Sequence, residues 1–104
     1  MTERVVTVDL AGVTDKAGLM DRCARALDLP EWFGRNWDAL ADSIGDHTLW
    51  PEGAVEAGLL IVVRHWQGYA RARPEEWRTA REVFAEAADH TPALSVALAL
   101  GGTS

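Results

Sequence analysis

Three stretches of apolar and β-branched residues predict three β-strands, at 4–10, 59–64 and 93–100. The first stretch alternates in part between apolar and polar residues, as a half-buried strand does. The second, Leu59–Arg64, is a continuous apolar run and predicts a strand that is covered on both faces. The third is apolar throughout apart from Ser95. The chain therefore carries the sequence of a small buried sheet.

Apolar residues recur at helical spacing between these strands. They predict a first helix over 15–27, with Thr14 as its N-cap. They also predict a last helix, Pro74–His90, because proline suits the first position of a helix. The segments 45–57 and 67–73 carry glycine or proline without a clear period and are expected to be loops.

A short middle helix, Trp37–Ile44, is bounded by two residues that favour helix ends. Asn36 is a good N-cap and Gly45 a good residue to follow the last turn. The apolar residues of this helix stand at i, i+3, i+4 and i+7, which predicts one buried stripe. The stripe consists of Trp37, Leu40, Ala41 and Ile44.

The order strand, helix, helix, strand, helix, strand is typical of an α/β fold. Buried strands that alternate with helices favour a three-stranded parallel sheet with helices packed on it. The length of 104 residues suits one domain over 1–104.

Composition removes several classes of protein. With 48% hydrophobic and 25% charged residues, the chain is not expected to be disordered. Its longest apolar runs fall far short of the ~18 residues of a membrane span, and no secretory signal is expected. The single Cys23 fits a core position and a reducing cytoplasm. We expect His47, His65 and His90 at the surface and predict no metal and no cofactor.

Negative charge is concentrated in one quarter of the chain. The net charge is −6, and residues 31–56 hold six acidic side chains against one arginine. An acidic balance disfavours nucleic-acid binding. The segment is either solvated surface that aids solubility or a patch that steers a basic partner.

Asp38 and Asp42 stand four residues apart on the middle helix and are expected to share a solvent-facing side. They form either a merely solvated face or a pair that recognises arginine or lysine. A hydrolase with paired carboxylates is disfavoured, since a short helix on a small domain offers no substrate cleft. Trp32, just before the helix, is either a core residue or an interface anchor.

The run from Leu29 to Asp42 resembles the signature of the barstar family, the intracellular inhibitors of secreted bacterial ribonucleases. That signature is leucine–proline–glutamate, two aromatics, glycine, then asparagine, aspartate–alanine–leucine and a second aspartate. The run Val83–Phe84–Ala85–Glu86–Ala87 resembles the last helix of the family. The resemblance implies a barstar-like fold, no enzymatic activity, and a basic bacterial ribonuclease as the partner of a cytoplasmic protein that is monomeric when free.

In this family the helix with two aspartates blocks the ribonuclease active site. The resemblance implies that Asp42 is the main acidic contact, paired with the enzyme's phosphate-binding basic residues. It places Asp38 and Glu86 at supporting acidic positions.

The resemblance assigns further contacts around the helix. Trp32 takes the place of an aromatic that packs against the catalytic histidine of the enzyme, and Gly34 and Asn36 fall on backbone and polar contact positions. Ala41 stands where the best-known member carries a large aromatic residue. Arg35 places a positive charge that is expected to repel a basic enzyme. These two departures keep open an alternative, a barstar-like immunity module for a partner that is not a ribonuclease.

Overall fold

The structure is a computed structural model that describes residues 3–30 and 34–99. Strands and helices follow one another in the order strand, two helices, a 3-10 turn, helix, strand, two helices, strand. Their bounds are β1 Arg4–Asp9, α1 Lys16–Ala26, α2 Trp37–Ile44, the 3-10 turn His47–Leu49, α3 Ala54–Ala57, β2 Leu59–Arg64, α4 Gln67–Ala72, α5 Pro74–His90 and β3 Leu94–Leu98. Within the described ranges, no helix is long and apolar enough to cross a membrane.

The three strands form a parallel sheet in the order β1-β2-β3, with β2 in the centre. Val6, Ile61 and Val96 stand side by side across it. The predicted parallel α/β fold is confirmed. The five described helices include two short ones that the predicted order of elements does not contain.

Among the described residues, one face of the sheet is covered more completely than the other. Ile61 and Val63 on that face are inaccessible to solvent. On the opposite face Val5 is 57% exposed, and Leu60 and Val62 of the central strand are half-buried. The expectation that β2 is covered on both faces is therefore wrong. An apolar run indicates that a strand is hydrophobic but does not indicate which neighbours will cover each of its faces. Here the face that carries Leu60 and Val62 is covered only in part.

The start of the first helix and its N-cap both lie one residue later than predicted. Asp15, not Thr14, is the N-cap, and its Oδ1 accepts a hydrogen bond from the amide of Gly18 at 2.8 Å. Both residue types favour this position, so the local sequence does not discriminate between them. Cys23 is completely buried in the core, as predicted, and burial raises the pKa of its thiol to about 12.

Both segments predicted as loops contain short helices. Residues 45–57 include the 3-10 turn and α3, and residues 67–73 include α4. A helix of four to six residues is too short to show an apolar period, and tertiary packing stabilises it instead. Tyr69 of α4 is completely buried and donates a hydrogen bond to Glu76 Oε1 at 3.0 Å.

The last helix, Pro74–His90, has the predicted bounds. Its residues Trp77 and Phe84 are buried, and the ring of Trp66 stacks on that of Trp77 with centroids 5.2 Å apart. This stacking holds the first turns of α5 against the residue that precedes α4.

Candidate functional site

The acidic helix α2 has a well-defined start. Asn36 is its N-cap, as predicted, and its Oδ1 accepts a hydrogen bond from the amide of Ala39 at 2.8 Å. Asn36 Nδ2 donates to the carbonyl oxygen of Gly34 at 3.3 Å. Asp38 lies in the first turn, where the helix dipole stabilises a carboxylate. The chain therefore holds the beginning of α2 in one conformation.

The two residues before this cap form a tight connection. A Cβ atom at Gly34 would lie 3.2 Å from Asn36 Nδ2, so a larger residue would press on the capping side chain. Arg35 has a φ of 53°, in the left-handed region. Its Nη1 lies 3.8 Å from Asp21 Oδ1 on α1, and both side chains are at least half exposed. The positive charge of Arg35 is therefore partly compensated by an acid of its own chain.

The buried side of α2 differs from the predicted stripe at three positions. Leu40, Ser43 and Ile44 are buried, whereas Trp37 and Ala41 are only half-buried. The buried side of the helix therefore includes Ser43, whose small side chain faces the core, and Trp37 lies at the margin of the core. The Nζ atom of Lys16 stands 5.7 Å from the centroid of the Trp37 ring.

The end of α2 is fixed by close contact and by a hydrogen bond. A Cβ atom at Gly45 would lie 3.2 Å from Thr91 Oγ1, at the end of α5. Gly45 has a right-handed backbone, so its small size, not a left-handed conformation, is what this position uses. Trp50 Nε1 donates to the carbonyl oxygen of Ile44 at 2.7 Å in a buried position. The helix is therefore held firmly at both ends.

Asp38 and Asp42 point to solvent, as their spacing predicts. None of the hydrogen bonds or ion pairs between described residues uses the carboxylate of Asp38, Asp42 or Glu86. These charges are therefore available to bind cations from outside the chain.

A groove of about 310 Å³ runs between α2 and the end of α5. We call it the α2–α5 groove. It brings together three residues predicted to contact a partner, Ala41 and Asp42 from α2 and Glu86 from α5. Because Ala41 is small, the floor of the groove stays open next to the Asp42 carboxylate. The other residues that line it are Gly45, Ala87, His90 and Thr91.

The remaining predicted contacts lie elsewhere. Asp38 is one helical turn before Asp42 and outside the groove. Asn36 caps α2, and Gly34 lies two residues before this cap. Trp32 lies outside the described residues. Over residues 3–30 and 34–99, no group of three or more histidine, cysteine or acidic side chains is placed to hold a metal ion.

Sequence reasoning missed His90 as a groove residue and predicted only that it is exposed, which is correct. One signal was present, since His90 stands four residues after Glu86 and so shares its helix face. The closeness of α2 to that face is a tertiary contact, which no local pattern encodes.

The sequence matches the family model described as Barstar (barnase inhibitor) over residues 3–100, which is nearly the whole chain. A comparison with curated proteins found no match. Proteins of this family bind barnase-type ribonucleases, and they are inhibitors and not enzymes. The parallel sheet and its helices agree with the fold of the family. The chain therefore belongs to the barstar family, and this membership implies an inhibitor of a barnase-type ribonuclease.

Proposed function

We propose that the chain inhibits a secreted, basic bacterial ribonuclease by inserting α2 into the active site of the enzyme. Asp42 pairs there with the cations that hold an RNA phosphate, and Asp38 and Glu86 support it from either side. The observation that carries this proposal is the exposure of all three carboxylates without a bond to described residues, on elements that are themselves firmly held.

The chemistry follows from what a ribonuclease must bind. A site for RNA phosphate presents fixed arginine or lysine side chains, and a carboxylate can form charge-assisted hydrogen bonds with the same groups. Such bonds become stronger when the two surfaces exclude water. Because α2 is already ordered by Asn36 at its start and Trp50 at its end, little conformational entropy is lost on binding.

The residues around α2 complete the proposed contact surface. Ala41 forms the apolar floor beside Asp42, and Gly34 and Asn36 contribute backbone and polar contacts at the start of the helix. Trp32 acts as an aromatic anchor against the catalytic histidine of the enzyme. The side chain of Asn36 also caps α2, so it supports binding by holding the helix as well as by contact.

Charge beyond the contact surface contributes to the rate of association. The segment 31–56 has six acidic residues against one arginine, and its field attracts a basic enzyme over several ångströms. Salt screens this field, so the association rate constant is expected to fall as ionic strength rises. The dissociation rate depends more on the close contacts around Asp42 and is expected to change less.

We place this activity in the cytoplasm of the cell that makes the ribonuclease, with the inhibitor monomeric when free. A cell that exports a toxic ribonuclease needs protection from copies that remain inside. The chain has a single cysteine and so cannot form an internal disulfide, which suits a protein that works in a reducing compartment.

A second candidate function is that of an immunity module against a partner other than a ribonuclease. The small Ala41 leaves room in the α2–α5 groove, which a bulkier residue at this position would fill. The position of Arg35 weakens this candidate, because Asp21 partly compensates the charge that would repel a basic enzyme.

The test is a titration of the purified chain into a basic barnase-type ribonuclease while RNA cleavage is followed. We expect loss of activity at a one-to-one ratio, with slower onset at high salt. Unchanged cleavage at a large excess of the chain would contradict the proposal. Capture of a basic partner without ribonuclease activity would support the second candidate instead.

A further inference from the structure

The α2–α5 groove contains one titratable side chain that the proposed function does not use. His90 is the last residue of α5 and lines the groove together with Asp42 and Glu86. It is exposed, so a partner that enters the groove can reach it. A ring nitrogen of its imidazole can offer such a partner a hydrogen-bond donor or acceptor.

The hydrogen bond of His90 determines which ring nitrogen is free. Its Nδ1 lies 2.9 Å from the carbonyl oxygen of Glu86. A carbonyl oxygen only accepts hydrogen bonds, so Nδ1 carries the proton and donates it. In the neutral ring Nε2 is then left as an acceptor, whereas in the charged ring Nε2 is a donor.

The charged groups around His90 favour a cationic ligand. Asp42 approaches from α2 and Glu86 from the preceding turn of α5, and both line the same groove. Asp46 follows α2, but its Oδ1 already accepts hydrogen bonds from the hydroxyl and amide of Thr48, and these bonds lower its pKa. Asp89 is the remaining acid of this turn of α5. The groove therefore offers two available carboxylates and one imidazole acceptor.

We propose that His90 is a further partner-contact residue, whose Nε2 accepts a hydrogen bond from the arginine side chain that Asp42 and Glu86 bind. A guanidinium has five N–H donors in a plane, so it can bond to two carboxylates and an imidazole at once. This inference rests on the proposed function, because the arginine belongs to the ribonuclease.

The contact needs the neutral ring of His90. Only the neutral ring offers the acceptor, and a positive charge at this position would lie next to the arginine. A side chain that keeps an acceptor should therefore preserve binding, and a side chain that has donors only should weaken it.

The experiment measures the dissociation constant with a barnase-type ribonuclease at pH 7.5 and constant ionic strength. His90→Gln keeps an acceptor at this position and should bind within about threefold of the unmodified chain. His90→Lys has donors only and should bind about three- to tenfold more weakly than His90→Gln. A cation in the last turn of α5 suits the helix dipole, so the helix is expected to remain stable.

His65→Lys is the matched control, because His65 is also exposed but lies just after β2, next to Asp9. Its affinity should equal that of the unmodified chain. Thermal unfolding of each variant confirms that it folds. If His90→Lys binds as tightly as His90→Gln, the inference about His90 is wrong while the proposed function stands. If the unmodified chain binds no ribonuclease, both fail.

Discussion

Two groups of exposed carboxylates in this molecule differ in the partners they have within the chain. At the carboxyl end of the sheet, Asp9 Oδ1 accepts a hydrogen bond from the amide of Ala11 at 2.9 Å and lies 2.8 Å from Nδ1 of His65. These partners lower the pKa of Asp9. At the α2–α5 groove, the carboxylates of Asp42 and Glu86 have no hydrogen-bond or ion-pair partner among the described residues.

The difference separates carboxylates that the fold uses from carboxylates that, under the proposed function, bind the ribonuclease. The fold itself uses Asp9 and also Asp15, which caps α1. Asp42 contributes little to folding, because a carboxylate near another acid on the same helix face is mildly destabilising. We infer that its negative charge serves an external partner. Variants of Asp42, Asn36 and Asp9 separate the two roles, and Asp42 should show the largest effect.

Replacing Asp42 should have the largest effect on binding. Asp42→Ala removes the proposed main contact, and we expect affinity for the ribonuclease to fall at least about 30-fold, the effect of a hot-spot residue. The free energy of unfolding should change by less than about 0.5 kcal/mol, since an exposed residue without a partner is removed. Inhibition assays and urea unfolding measure the two quantities.

The matched control is Glu52→Ala, which removes one exposed negative charge from the same acidic segment but away from the groove. Its affinity should fall less than about threefold, through weaker steering alone. Equal losses in the two variants would show that only total charge matters and that Asp42 has no special contact.

Loss of the α2 cap should be the next largest effect, this time on stability. Asn36→Ala leaves the amide of Ala39 without its partner, and we expect a loss of about 1 kcal/mol in the free energy of unfolding. Asn36→Asp keeps a capping oxygen and should retain most of the stability. If both variants unfold alike, the side chain of Asn36 does not stabilise the helix through its capping bond.

Removal of Asp9 should have the smallest effect, and it should depend on pH. The bonds from Ala11 and His65 hold the pKa of Asp9 below its usual value of 3.8. A lowered pKa contributes stability that is present above 3.8 and is lost as pH falls through the lower folded value. Asp9→Ala should therefore cost at most about 1 kcal/mol at pH 7, because the site is exposed, and progressively less as the pH falls below 3.8.

Ribonuclease affinity of Asp9→Ala should stay unchanged, since Asp9 lies at the end of β1 and not at the groove. A loss of affinity without loss of stability would contradict the division between acids that fold the chain and acids that bind.

The sequence allowed prediction of elements that have strong local signals. The bounds of α2 and α5 are as predicted, because Asn36, Gly45 and Pro74 mark their ends. The short helices α3 and α4 were missed, since so few residues show no period. The open face beside Val62 was missed because burial depends on neighbours distant in the sequence.

The candidate site shows the same limit. The solvent-facing positions of Asp38 and Asp42 follow from helical geometry and are confirmed. The approach of Glu86 was indicated only by resemblance, and His90 was not singled out. Both depend on how α5 crosses α2, which is decided by side chains such as Phe84 and Ile44 in a shared core.

The most direct test of the central claim is competition between the chain and a nucleoside monophosphate for a barnase-type ribonuclease, at constant ionic strength. If the carboxylates of α2 take the place of an RNA phosphate, the apparent dissociation constant of the chain rises linearly with nucleotide concentration and does not level off. A dissociation constant that stays the same at saturating nucleotide would mean that both bind together, and the carboxylates would then not occupy the phosphate site.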